Sequence, residues 1–205
     1  PRFIPDDFEM RTLVNTLPFS IGGELRRPII ILNPNASDML PLRKWATENF
    51  VALALRLLDH YKEIIIGITG ALSEKESAEK ISAQIRERMD GSKANSVINF
   101  AGKTTLTQLF TLYSVADMLI TNDSGPGHFS SMTDVSTLIL FGPETPHLFG
   151  PLGKNVHIIW KELACSPCVN AFNHRFSPCN DNVCMKTITV DEVYEKVVEI
   201  LRLNV

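Results

Sequence analysis

The feature that most constrains this chain is an alternation. Short, uninterrupted apolar runs are separated by longer stretches in which apolar residues recur every three or four positions. The first run is Ile29 to Leu32, which breaks at Asn33-Pro34-Asn35. Further runs lie at Glu63 to Thr69 (ended by Gly70), Ser96 to Phe100, Met118 to Thr121, Thr137 to Phe141 (cut by Gly142-Pro143) and Val156 to Trp160. Between them, Phe50, Leu53, Ala54, Leu57 and Leu58 trace one helical stripe, and Ala78, Ile81, Ile85 and Met89 a second, closed by Asp90-Gly91. A helix over Leu106 to Ala116 follows. A short one is expected near Gly127 or His128, and a last one from about Val190, carrying Val193, Val197, Ile200 and Leu201. Strands without polar alternation belong in a sheet covered on both faces. Strand and helix in alternation require parallel strands joined by right-handed crossovers. The expectation is an α/β fold, a doubly wound, Rossmann-like parallel sheet over residues 28–205. Residues 1–27 carry Pro1, Pro5, Pro18, Gly22 and Gly23 without periodicity and read as a linker or N-terminal arm.

The 205 residues and 44% hydrophobic content fit one domain that buries a core without staples. The formal net charge of −3 gives no electrostatic footprint for nucleic acid. No apolar run approaches the roughly 20 residues of a membrane span, so no transmembrane segment is visible. The chain opens Pro1-Arg2-Phe3 without an initiating Met, so any upstream targeting segment lies beyond the reading.

In open sheets of this type ligands bind beyond the carboxyl ends of the strands. The segments that matter are therefore 33–37, 70–74, 101–104, 122–128 and 142–145. All carry small polar residues and four carry glycine, a composition suited to phosphate and sugar. The most informative is Thr121-Asn122-Asp123-Ser124-Gly125-Pro126-Gly127-His128, between a buried strand and a helix. Gly125 permits a tight turn. A helix start offers unpaired N–H groups to an anion. Ser124 and His128 add side-chain donors, and Asp123 can hold the loop through backbone N–H groups. A plain turn with a capping residue explains the same letters.

Two tempting motifs fail. "AGKTT" at 101–105 lacks the upstream glycine of a P-loop, because Val97 stands there, and a nucleophile elbow around Ser124 would need glycines where Asn122 and Pro126 are. Lys103 reads as a solvated loop residue, with Thr104 and Thr105 able to touch ligand. Glu144 and Thr145 follow a strand and could reach a donor sugar, as could His147. Trp45, Trp160 and His157 read as packing residues. Cys165, Cys168, Cys179 and Cys184 form a C-x2-C-x10-C-x4-C run enclosing His174. That run admits zinc, reduced structural thiols or disulfides, the last disfavoured in a reducing cytosol.

Several of these segments together carry a resemblance. "TNDSGPGHFSSM" followed by "TLILFGPETPHLFGPLG" is similar to glycosyltransferase family 9, the ADP-heptose:lipopolysaccharide heptosyltransferases. That family has an Asp-(Ser/Thr)-Gly-Pro-x-His loop and then a strand ending Phe-Gly-Pro-Thr. "IILNPNASDMLPLRKW" resembles its Asn-Pro-Gly-Ala/Ser…Lys-x-Trp segment. "FAGKTTLTQLFTLYSVADMLITNDSG" resembles its Gly-Lys-Thr-Ser-Leu…Ala-Asp segment, and the cysteine-rich ending its Cys-Pro-Cys…Cys…Cys tail, which explains the cysteines without requiring metal. The match runs in order from about residue 28 to 203. It implies the C-terminal half of a GT-B glycosyltransferase, with a further N-terminal Rossmann-like domain as partner. It implies an ADP-heptose-like nucleotide-sugar donor, a lipopolysaccharide or other glycan acceptor, and inverting transfer without a metal or other cofactor, by a cytoplasmic protein able to associate peripherally with the inner membrane. Carried over by position, Asp123, Ser124, Gly125, Pro126 and His128 bind the donor diphosphate. Lys44 neutralises it with Arg43 as a neighbour able to share the role, Ser37 lies near the phosphate, and Glu74 holds the ribose in competition with Glu76. No catalytic residue is assigned here, since the general base belongs to the other domain. Two departures stand out: Gly127 where the family commonly has Met, and Asn35 where it has Gly, a residue that tolerates a left-handed backbone. A non-catalytic nucleotide- or glycan-binding module on the same fold is the alternative. A sugar-nucleotide epimerase or dehydrogenase is disfavoured, because no G-x-G-x-x-G follows the first strand.

Overall fold

The computed structural model describes residues 2–18, 25–36, 40–170, 172–173 and 176–203, less the side chain of Ser92. Six strands, β1 (Ile29–Asn33), β2 (Ile65–Ile68), β3 (Val97–Asn99), β4 (Met118–Asn122), β5 (Ser136–Phe141) and β6 (Val156–Trp160), form one sheet in the order β3-β2-β1-β4-β5-β6. Every pairing is parallel. The helices are α1 (Asp7–Val14), α2 (Thr47–His60), α3 (Lys75–Arg86), α4 (Gly91–Ala94), α5 (Leu106–Val115), α6 (Gly125–Ser130), α7 (Pro146–Phe149), α8 (Val183–Lys186) and α9 (Val190–Leu203). Two 3-10 turns, Pro41–Arg43 and Leu72–Glu74, follow β1 and β2.

Strand geometry sends successive side chains to opposite faces, and both faces here are apolar and covered. Ile30, Leu32, Ile66, Ile68, Met118, Ile120, Leu138 and Leu140 face a core closed by Phe50, Leu53, Leu57, Ile81, Ile85, Val193 and Val197 of α2, α3 and α9. Ile29, Ile31, Ile65 and Leu119 face the opposite core, closed by Leu112, Tyr113 and Val115 of α5, with Met10, Leu13 and Val14 of α1 packed against its margin. The unbroken apolar runs follow from this double burial. At roughly 1.5–3 kcal/mol for each fully buried aliphatic side chain, these two layers are the dominant favourable term for the fold.

The structure departs from the sequence expectation in five places. Residues 7–14, inside the stretch read as a linker or arm, are helical. Asp6 caps them, accepting from the backbone N–H groups of Phe8 at 2.9 Å and Glu9 at 3.2 Å. A helix this short with no fully buried residue leaves little periodicity to see. Helix α6 begins at Gly125 rather than at 127 or 128, because Pro126 is well suited to a first helical turn. Strand β2 begins at Ile65 rather than Glu63, and β3 spans only Val97–Asn99. Asn35 is not left-handed: among the described residues only Glu162 is a non-glycine with positive φ. Its side chain instead donates to the Thr69 carbonyl at 3.1 Å, so that bond holds the turn in glycine's place.

Candidate functional site

The strand order reverses direction between β1 and β4, where successive crossovers leave toward opposite edges and a crevice opens at the strand ends. A cleft of about 360 Å³ occupies that position. Asn33, Asn35 and Ala36 from the end of β1, Thr69 to Ala71 and Glu74 after β2, and Ser124 to Pro126 after β4 form its polar side. Thr104 and Thr105 also line it, and Leu106, Leu109 and Phe129 are its large apolar residues.

Side-chain amides fix these strand ends to one another. Asn122, fully buried at the end of β4, accepts from the Trp45 backbone N–H at 3.0 Å and donates to the Pro34 carbonyl at 3.0 Å and the Asn35 carbonyl at 3.3 Å. Asn33 donates to the Thr69 hydroxyl at 3.1 Å and carbonyl at 3.3 Å, which joins β1 to the end of β2. Trp45 is pinned in turn by its indole N–H, which donates to the Ile188 carbonyl at 2.8 Å. A β-carbon on Gly70 would lie 2.8 Å from Asn35 Nδ2 and 3.0 Å from Glu74 Oε2, so glycine is needed where the two side chains close over the turn. Gly127 faces the sheet: a β-carbon there would lie 3.0 Å from Ile139 Cδ1. Glycine at this position seats α6 close against β4 and β5.

The site residues expected from sequence fall into separate groups. Glu74, Ser124, Gly125 and Pro126 line the cleft. Glu74 Oε2 accepts from the Ala71 N–H at 2.6 Å, and the carboxylate stays at the cleft mouth. Its competitor Glu76 is fully exposed and paired with Lys80 at 2.8 Å, so the structure separates the two. Ser124 turns its hydroxyl inward, donating to the Asn122 carbonyl at 3.1 Å beside Thr121 Oγ1 at 3.1 Å. His128 is exposed on α6 and does not line the cleft, and neither does half-buried Lys44. Ser37 lies outside the described residues.

Asp123 is not at the cleft surface but buried directly behind it, 3% exposed. Arg43 is the cation that meets it, with Nη1 at 3.6 Å from Asp123 Oδ2 and 3.1 Å from Glu144 Oε2. Burial pushes the Asp123 carboxyl up to about 7, helped by the hydrogen-bonded Glu144 carboxyl and opposed by Arg43. Sequence reasoning weighted Lys44 above Arg43. Yet a Lys-x-Trp spacing counted back from Trp45 arrives at Arg43, and that count was the available signal. Asn33 and Asn122 were missed as organising residues, because an asparagine at a strand end reads as a turn former until its partners are seen.

Outside this region, Thr145 caps α7, accepting from the His147 N–H at 3.3 Å, and the His147 ring packs edge-on against Trp160. The four cysteines are free thiols, exposed at Cys165 and buried at Cys184. Among the described residues no group of three or more His, Cys, Asp and Glu is arranged to hold a metal ion. Nor is any helix among them long and apolar enough to cross a membrane.

Comparison with known proteins places this geometry. A family model for glycosyltransferase family 9 (heptosyltransferase) matches residues 3–175. Lipooligosaccharide heptosyltransferase 2 of Campylobacter jejuni is 28% identical over 190 residues, 88% of this chain and 56% of that protein. Lipopolysaccharide heptosyltransferase 2 of Escherichia coli is 27% identical over 141 residues, 69% of this chain and 38% of the relative. Among solved structures, E. coli ADP-heptose lps heptosyltransferase II superposes over 100% of this chain and 54% of its own with a TM-score of 0.76 at 21% identity. E. coli heptosyltransferase WaaC with ADP superposes over 98% of this chain and 51% of its own, with a TM-score of 0.63 at 18% identity. The chain thus spans just over half of the first of these relatives. With the family model covering most of its length and the all-parallel sheet shared with the solved structures, the chain belongs to glycosyltransferase family 9, the heptosyltransferase family.

Proposed function

We propose that this chain is the donor-binding half of a heptosyltransferase and holds a nucleoside-diphosphate sugar of the ADP-heptose type in the switch-point cleft. The observation that carries the reading is the mixed lining of the cleft at that position. Leu106, Leu109 and Phe129 offer apolar area to a base, while Glu74 is a carboxylate suited to ribose hydroxyls. The diphosphate would then lie toward Ser124 and Gly125, with Arg43 and Lys44 as the nearby cations and Asp123 supporting their loop. His128 and Ser37 complete the proposed donor set.

In the proposed reaction an acceptor hydroxyl displaces the nucleoside diphosphate from the anomeric carbon with inversion. Negative charge grows on the leaving phosphate, and the groups that oppose it act electrostatically. The acceptor, a lipopolysaccharide core or related glycan, and the general base belong on this reading to an N-terminal Rossmann-like domain that precedes residues 28–205, with 1–27 as the connecting arm. The work would be done without a metal, on the cytoplasmic face of the inner membrane.

Thermal-shift titration with ADP, UDP and GDP, with and without EDTA, tests the reading. A ligand that binds only the native state stabilises it by about 2.7 kcal/mol at 100 times its dissociation constant. Selective stabilisation by ADP, unchanged by EDTA, is the expected result. A preference for UDP or GDP would replace the donor, and no shift with any nucleotide would overturn the proposal.

A further inference from the structure

Next to the cleft lies a charge cluster in which the donor reading uses Arg43 and Asp123 but gives Glu144 no role. Among the described residues its members come from three strand ends: Arg43 after β1, Asp123 after β4 and Glu144 after β5. All three side chains are withdrawn from solvent, at 12%, 4% and 3% exposure for Arg43, Asp123 and Glu144. Arg43 Nη1 makes its shortest contact, 3.1 Å, with Glu144 Oε2, and it lies 3.6 Å from Asp123 Oδ2. Meanwhile the Nε of Arg43 and the Oδ2 of Asp123 are buried without a hydrogen-bond partner. Neither group is fully satisfied by the contacts it makes, and a guanidinium can serve two acceptors at once. The lining of the cleft contains no Lys, Arg or His among its described residues, and its one charged group is Glu74. Asp123 immediately precedes Ser124 of that lining. The chain therefore keeps a cation close to a pocket whose described lining carries none, but ties it to two carboxylates.

Resting on the donor reading, we infer that Glu144 is a positioning residue that holds the Arg43 guanidinium back against Asp123, so that a bound diphosphate must compete with it for the cation. With both carboxylates charged, the cluster carries a net negative charge that opposes an anionic ligand. With one proton on the pair it is neutral. Raising the pH therefore tightens the hold on Arg43, as burial and the neighbouring carboxyl keep Asp123 protonated to about 7. Arg43 and Glu144 are the charged groups that face Asp123. Lys44, His128 and Glu74 are common to every form compared, so their contribution cancels between forms.

The experiment is isothermal titration of the chain with ADP-ribose, whose diphosphate diester keeps a constant charge across neutral pH. Wild type, Glu144→Gln and Glu144→Thr are measured at pH 6 and pH 8, after thermal melting has shown each to be folded. A unit charge removed at about 10 Å, in a medium of effective dielectric constant near 20, changes affinity on the order of tenfold. Both variants are expected to bind about tenfold tighter than wild type at pH 8 and to differ less at pH 6. Wild-type affinity should fall further from pH 6 to pH 8 than that of either variant, with greater proton uptake on binding. Should neither variant fold, the excess of wild-type proton uptake over that of Asp123→Asn, read from titrations in two buffers of different ionisation enthalpy, decides the matter, and equal uptake overturns the inference. A folded Glu144→Gln chain that binds as wild type does, or more weakly, at pH 8 overturns the inference while leaving the donor reading intact. Failure of every form to bind overturns both.

Discussion

Replacing Asn122 with alanine tests whether the cleft is built by side-chain amides at the strand ends. The native side chain is fully buried and makes three hydrogen bonds, to the Trp45 N–H at 3.0 Å and to the carbonyls of Pro34 at 3.0 Å and Asn35 at 3.3 Å. Alanine removes all three, and the Trp45 N–H is left in a buried position, since Trp45 is only 1% exposed. A buried donor without an acceptor costs about 1–3 kcal/mol, whereas a carbonyl at the loop edge can recruit water at smaller cost. The expected loss for Asn122→Ala is therefore about 3 kcal/mol. At roughly 2–4 °C per kcal/mol for a domain of this size, the midpoint should fall by about 6–12 °C. Urea unfolding followed by tryptophan fluorescence measures the free-energy loss and a thermal melt the midpoint, with Trp45 reporting on the linkage itself. Asn122→Asp is the informative companion. It keeps an acceptor for the Trp45 N–H but sets an oxygen against two carbonyls, so it should not recover the full stability. A loss under about 0.5 kcal/mol for the alanine variant would refute the reasoning and show that backbone packing alone fixes the loop after β1.

Two further outcomes follow from individual contacts. Gly70→Ala would place a β-carbon 2.8 Å from Asn35 Nδ2 and 3.0 Å from Glu74 Oε2, so it should displace the cleft's polar side. We expect it to weaken nucleotide binding on the order of tenfold while costing only about 1–2 kcal/mol of stability; comparing titration calorimetry with melting checks the disparity, and equal effects on both would count against it. The folded-state pKa of Asp123, about 7, is raised above its ordinary value of 3.8. The stability its protonated form contributes is thus full below about pH 4 and is lost as pH rises through 7. Asp123→Asn should flatten that part of the profile and gain on wild type between pH 5 and pH 8 in parallel melting curves; an unchanged slope would assign the titration to another group.

How much of this was legible in the sequence depended on whether the signal was local or pairwise. The six strands and the stripes of α2, α3 and α9 are local: each run announces its own period, and double burial of Ile29 to Leu32 leaves no polar alternation to confuse the reading. The strand ends were legible too, because the switch-point rule turns an element order into a binding position, and Glu74, Ser124, Gly125 and Pro126 duly line the cleft. Charge partnerships were not legible. Asp123 and Arg43 stand 80 positions apart and Glu144 a further 21 beyond Asp123, so nothing in the local pattern distinguishes a cation aimed at phosphate from one aimed at buried carboxylates. Burial decides which of the two it meets, and it is set by tertiary packing: Trp45, locked to Asn122 and Ile188, fixes the turn from which Arg43 extends. The same logic separates Glu74 from Glu76, two residues apart on the chain but one at the cleft and one in solvent. A family motif can therefore name a loop at the cleft but not the balance of charge beside it. That balance lies in pairs such as Arg43 and Glu144, which only the fold brings together.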